Sequence, residues 1–159
     1  MKKYLPFLAA LSLITIACSS HVPRKADSLP FEVVEEGAYG TFQEAGYKLI
    51  TDQDAFSSLW QELHAHTLPV PPLPEIDLSD QAVVCVYMGT QNSGGFSIRI
   101  TSVSVHQNIA YISVVTTSPG EGCMTTSALT SPYVMATIPS GSFANHELVV
   151  QKETSSCRN

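Results

Sequence analysis

His146 and Glu147 open an H-E-x-x-H pattern, the spacing that would set two imidazoles on one zinc ion with the glutamate as base, but position 150 is Val. With the second ligand missing and strand-like neighbours, the two read as a solvated polar pair. His64 and His66 lie near a helix end two residues apart, a spacing that does not share a helix face, so they predict no metal pair. The chain has no G-x-S-x-G elbow, no phosphate loop and no C-x-x-C, and no Ser, His, Asp grouping is marked by local chemistry. We therefore expect no catalytic residue, no metal site and no cofactor. Arg99 is the only cation between Lys48 and Lys152. It either neutralises an acid such as Asp77 or Asp80, the ordinary use, or presents its guanidinium to a partner beside a glycine-rich loop.

The chemistry with a local signature lies at the start. Residues 1 to 17 carry Lys2 and Lys3 and then an apolar run, interrupted by Pro6, that is short for a bilayer span and reads as a secretory leader. It ends in T-I-A-C, which resembles the bacterial lipobox. There Cys18 would take a diacylglyceryl group, the leader would be cut before it, and the new amine would be acylated. Several chains would then hold the protein at a membrane, since each buried methylene contributes about 0.8 kcal/mol. Ser19 and Ser20 resemble the outer-membrane sorting pattern if the cell has two membranes, so the expected place is the cell envelope. Loss of the two leader lysines takes the formal charge from −6 to −8, and nucleic acid is excluded as a partner on that balance.

Three cysteines follow Cys18 in an oxidising compartment, and an odd number leaves one thiol over. Cys85, in an apolar run, reads as a small buried hydrophobe. Cys123 follows a Pro-Gly loop and Cys157 lies in the polar tail, and we expect these two to pair, with a bridge to Cys85 as the rival. Such a disulfide would contribute roughly 3 to 4 kcal/mol.

The elements that position these residues are mostly strands. With 159 residues, 44% hydrophobic and 14% charged, the chain has the composition of one folded domain after its leader. Ala82 to Met88 is apolar on both faces, as a central strand is, while Phe96 to Ile100 alternates strictly. Between them, Gly89 to Gly95 carries three glycines and Asn92, which tolerate positive φ, and the whole reads as a spine hairpin. The parity slip after Ile100 predicts a β-bulge at Thr101 or Ser102, and Gln107 with Asn108 predicts a tight turn into a strand over 109–116. Further strands are expected over 31–35, 47–50, 133–138 and 143–150. Phe56, Leu59, Trp60 and Leu63 form the stripe of an amphipathic helix, capped by Thr51 with Asp54, and four prolines from Pro69 to Pro74 make a rigid connector. The expected fold is α+β, a small twisted, mainly antiparallel β-sheet or open barrel with one packed amphipathic helix. A leader (1–17), a flexible tether (18–30) and one domain (31–159) divide the chain.

The order of these features resembles the C-terminal domain of the protease complex subunit PrcB. The resemblance spans Tyr39 to Ser140 and rests on Phe56, Leu59 and Trp60, on Pro74, Ile76 and Asp77, on Met88 and Gly89 with Gly94, Gly95, Phe96, Ser97 and Ile98, and on Pro132 with Tyr133. It implies a non-catalytic accessory or protein-binding module, a lipoprotein supporting a cell-surface protease, with no cofactor. Asn92, Ser93, Gly94, Gly95 and Arg99 are the candidate partner-binding residues. As an alternative, Gly89 to Gly95 or Ser118 to Gly122 would fill a protease cleft as an inhibitor, and an unrecognised hydrolase is a third reading.

Overall fold

The computed structural model describes residues 22–155 apart from 24 and 143. The leader, Cys18, Cys157 and Phe143, the expected opening of the last strand, lie outside the described residues. In chain order the strands are β1 Asp27–Leu29, β2 Glu32–Gly37, β3 Gly46–Ile50, β4 Gln81–Tyr87, β5 Ser97–His106, β6 Ile109–Pro119, β7 Tyr133–Pro139 and β8 Asn145–Ser155, with a helix, α1 Gln53–Leu63, between β3 and β4. They form two open four-stranded sheets, ordered β1-β5-β6-β8 and β2-β7-β4-β3. All the pairs are antiparallel except β6 with β8, which are parallel. This is the α+β fold expected from the sequence, with its strands divided between two layers.

Alternation along β4 explains the layering. Ala82, Val84 and Val86 point into a core shared with Ile98, Ile100, Val103, Ile112 and Val114 of the first sheet. Val83 and Cys85 point the other way, against Phe56, Leu59, Trp60 and Leu63 of α1. β7 divides in the same manner, with Val134, Ala136 and Ile138 on the sheet side and Tyr133 and Met135 on the helix side. Both strands are covered on both faces, which is why each is an unbroken apolar run.

This arrangement corrects the expected hairpin. β4 pairs with β3 and β7, and β5 pairs with β1 and β6, so Gly89 to Gly95 carries the chain from one sheet to the other. The reason is in the burial: β4 needs a layer on each face, whereas β5 has one exposed face and belongs in an outer sheet. The predicted bulge is present, with the β5–β6 register shifting between Ile100 and Ser102 so that Ile100 and Val103 both reach the core. The tight turn is present too, with φ of 48° at Gln107 and 64° at Asn108, the doubly positive geometry that matches the twist of a two-residue hairpin.

Three further expectations shift. Asp52, not Thr51, caps α1: its side chain accepts a 2.8 Å hydrogen bond from the Ala55 N–H, and a carboxylate also suits the positive end of the helix dipole. The expected tether ends inside the fold, since Asp27–Leu29 pairs with Val103 to Val105 and Leu29 packs on the core. The last strand runs beyond Val150 to Ser155, because each residue from Asn145 onward has a partner on β6.

Candidate functional site

The Gly89 to Gly95 crossing loop is held at both ends and along its middle. Gly89 is buried with φ of +70°, and a Cβ there would lie 2.6 Å from the Glu44 backbone, so that position requires glycine. Gln91 and Thr130 exchange two backbone hydrogen bonds of 2.7 and 3.1 Å, Gly94 N–H donates to Thr126 O at 3.0 Å, and the Thr130 hydroxyl donates to Ser93 O at 2.8 Å. Of the candidate contact residues, Asn92 and Gly95 are exposed, while Ser93 and Gly94 are half-buried against the 126–130 segment. Arg99 projects from the exposed face of β5, and neither Asp77 nor Asp80 is the acid it meets. Its guanidinium lies 3.7 Å from Glu153 of β8, two strands away in the same sheet. Asp77 instead accepts bonds from the Ser79 hydroxyl and N–H, which hold its carboxyl below the ordinary value.

A second grouping carries no signal in the sequence. Glu35 of β2 accepts a hydrogen bond from the Tyr133 hydroxyl at 2.9 Å through one oxygen and meets His64 Nε2 at 3.1 Å through the other. His64 is buried at the end of α1, its ring 4.4 Å from that of Trp60. Burial, reinforced by the hydrogen bond and charge of Glu35, raises the Tyr133 hydroxyl well above the usual phenol range. Gly37 lets β2 approach, because a Cβ there would lie 2.7 Å from the Tyr133 ring. The cluster floors a shallow cleft of about 320 Å³ whose rim includes Tyr39, itself 70% exposed. Both carboxylate oxygens are engaged by ring partners, so the arrangement clamps β2, α1 and β7 together. Glu35 and Tyr133 are 98 residues apart in sequence, and no spacing rule could have joined them.

Cys85 is free and buried, and burial pushes its thiol up to about 12. Cys123 has a partner, and its expected mate Cys157 is outside the described residues. His146 sits on β8 with its ring edge-on to Tyr47 at 5.4 Å. Among the described residues no group of three or more His, Cys, Asp or Glu could hold a metal ion, and no helix is long and apolar enough to cross a membrane.

With this geometry in hand, comparison with known families is decisive for one stretch. Residues 82–139 match the family model described as PrcB C-terminal. Over this stretch the chain is similar to PrcB C-terminal domains. The match runs from β4 through β5 and β6 to β7, and its two ends lie on paired strands, Ala82 opposite Ile138, the residue before its last. It therefore takes in the twice-buried pair of strands, the crossing loop and the hairpin of the first sheet. Phe56, Leu59, Trp60 and the Pro74 to Asp77 segment, which contribute to the resemblance in the sequence, lie before the matched residues. No curated protein and no solved structure matches the chain significantly.

Proposed function

We propose that the protein is a lipid-anchored, non-catalytic accessory module that binds a protein partner at the cell envelope and supports an extracytoplasmic protease complex. The observation that carries this reading is the PrcB C-terminal match over residues 82–139. Cys18 is the proposed lipid attachment site, with the outer membrane as its destination in a cell with two membranes, and Cys123 is proposed to pair with Cys157. Asn92, Gly95 and Arg99 offer exposed contacts, with Ser93 and Gly94 shaping the loop behind them.

Affinity purification of the full chain from cross-linked cells is the test. A specific protein partner, containing or associated with a protease, is the expected result, and recovery of none at native expression sinks the reading. Replacing Asn92 by Asp and Ser93 by Glu together should weaken that recovery. Unchanged binding would return the loop to a purely structural role. The inhibitor alternative is separated by adding the protein to the recovered protease: unchanged or prolonged turnover supports an accessory role, and loss of turnover supports inhibition. Anchoring has its own readout, since Cys18→Ser should abolish acyl labelling. Intact-mass analysis before and after reduction, with peptide mapping, reads the Cys123 and Cys157 pairing.

A further inference from the structure

The two sheets do not close equally on their two flanks. On one flank β1 and β2 run consecutively, and the chain between them, through Phe31, crosses from sheet to sheet and packs on the core. On the other flank the edge strands are β3 and β8, which are distant in sequence and belong to different sheets. They touch where the Tyr47 ring meets His146. Four residues further along β8, Val150 is 46% exposed although it shares the inward parity of His146.

The space left there is a cleft of about 380 Å³, lined on one side by Val86 and Met88 and on the other by Ile98, Val114 and Val150. Lys152 stands among these lining residues, two positions beyond Val150 and opposite Thr116 on β6, and among the described residues no Asp or Glu lines the cleft with it. Glu153 has the opposite parity and meets Arg99 instead. The cleft is thus a slot between two sheets, apolar along its walls and with one ammonium group. Sheets stack about 10 Å apart, which suits an extended chain better than a bulky ring system. The volume is at the lower end of the range for small-molecule sites, roughly 300 to 1,000 Å³, which suits one chain rather than two.

We infer that this cleft binds a single-chain amphiphile with a carboxylate head, a long-chain fatty acid, with the chain between β4 and β6 and the carboxylate on Lys152. The inference is independent of the protein partner proposed above. The walls exclude water from the chain, and the lysine supplies a charge complementary to the head.

The test uses the full chain in phosphatidylcholine vesicles with a diazirine-bearing palmitate as the probe, followed by photolysis and peptide mapping. Saturable labelling is expected on the peptides that carry Val86 to Met88 and Val114 to Thr116. Lys152→Glu should raise half-saturation about tenfold, the order expected for a rim ion pair turned to repulsion, and Lys152→Arg should leave it nearly unchanged. Val150→Trp, checked for unaltered thermal unfolding, should block labelling by filling the cleft. The inference is overturned if labelling of these peptides is absent or fails to saturate. Unchanged binding by Lys152→Glu, equal binding of the corresponding long-chain alcohol, or wild-type labelling of a folded Val150→Trp protein would also overturn it. So would cross-links that join β8 of one copy to β8 of another.

Discussion

The two faces of the β2-β7-β4-β3 sheet are built from different materials. The face toward the other sheet is closed by small and β-branched side chains, Ala82, Val84, Val86, Val134 and Ala136 among them. The face toward α1 is closed by large rings, Phe56, Trp60, Phe42 and Tyr133, and includes the Cys85 sulfur, with the bond between Tyr133 and Glu35 at its edge. Two sheets meet along a broad plane, and branched side chains fill a thin layer well. A helix meets a sheet along a ridge, and long rings are needed to fill the space on either side of it. The ring hydroxyls and ring nitrogens brought along with that bulk must then find partners, and Glu35 and the Pro71 carbonyl serve that need for Tyr133, His64 and Trp60.

That difference can be broken experimentally. The largest effect is expected on the helix side, where Phe56→Ala, at a fully buried ring, should cost about 3 to 5 kcal/mol in denaturant unfolding. A loss below 1 kcal/mol would mean that α1 is dispensable to the sheet. The alkaline limb of stability comes next. Cys85 has a raised value in the folded protein, so its contribution is fully present below the ordinary thiol value of 9.0 and is lost as pH climbs from there toward about 12, where the unfolded chain releases its proton first. Tyr133 is shifted in the same sense. Cys85→Ala should therefore flatten part of the decline in unfolding free energy above pH 9 and leave the part due to Tyr133, whereas an unchanged slope would show that the thiol is not held in the apolar layer.

Smaller effects sharpen the contrast. Tyr133→Phe, which removes one partner from Glu35 and keeps the ring, should cost about 1 to 2 kcal/mol, while Ile112→Val on the sheet side should cost about 1 kcal/mol. If the valine variant proved the more damaging, the sheet interface and not the polar clamp would be the less forgiving layer. Arg99→Ala should change stability by less than about 0.5 kcal/mol, because its contact with Glu153 is long and exposed on both sides. A larger loss would show that the outer face of the first sheet depends on that pair.

Much of the architecture was legible because it is written in periods of two and of 3.6. The double-faced run at Ala82 to Met88, the stripe of Phe56, Leu59, Trp60 and Leu63, the slip after Ile100 and the turn at Gln107 and Asn108 each depend on residues a few positions apart. The candidate site was legible only in part. Asn92 and Gly95 are exposed as expected, but the docking of Ser93 and Gly94 on Thr126 and Thr130 depends on residues more than thirty positions away. The place of Lys152 on an inward-facing strand position was not legible, because the strand was expected to stop at Val150 and its extension depends on β6 continuing beside it to Pro119.

By itself the sequence determined which strands need cover on both faces, where the helix runs, and which family the residues resemble, because local pattern and composition carry that information. The tertiary structure decided that Gly89 to Gly95 crosses between sheets, that Glu35, His64 and Tyr133 meet, that Arg99 faces Glu153, and that the β3 and β8 edges leave a cleft between them. Those outcomes turn on which strands become neighbours, and strand partnership is settled by the burial of whole faces at once rather than by any one stretch of chain.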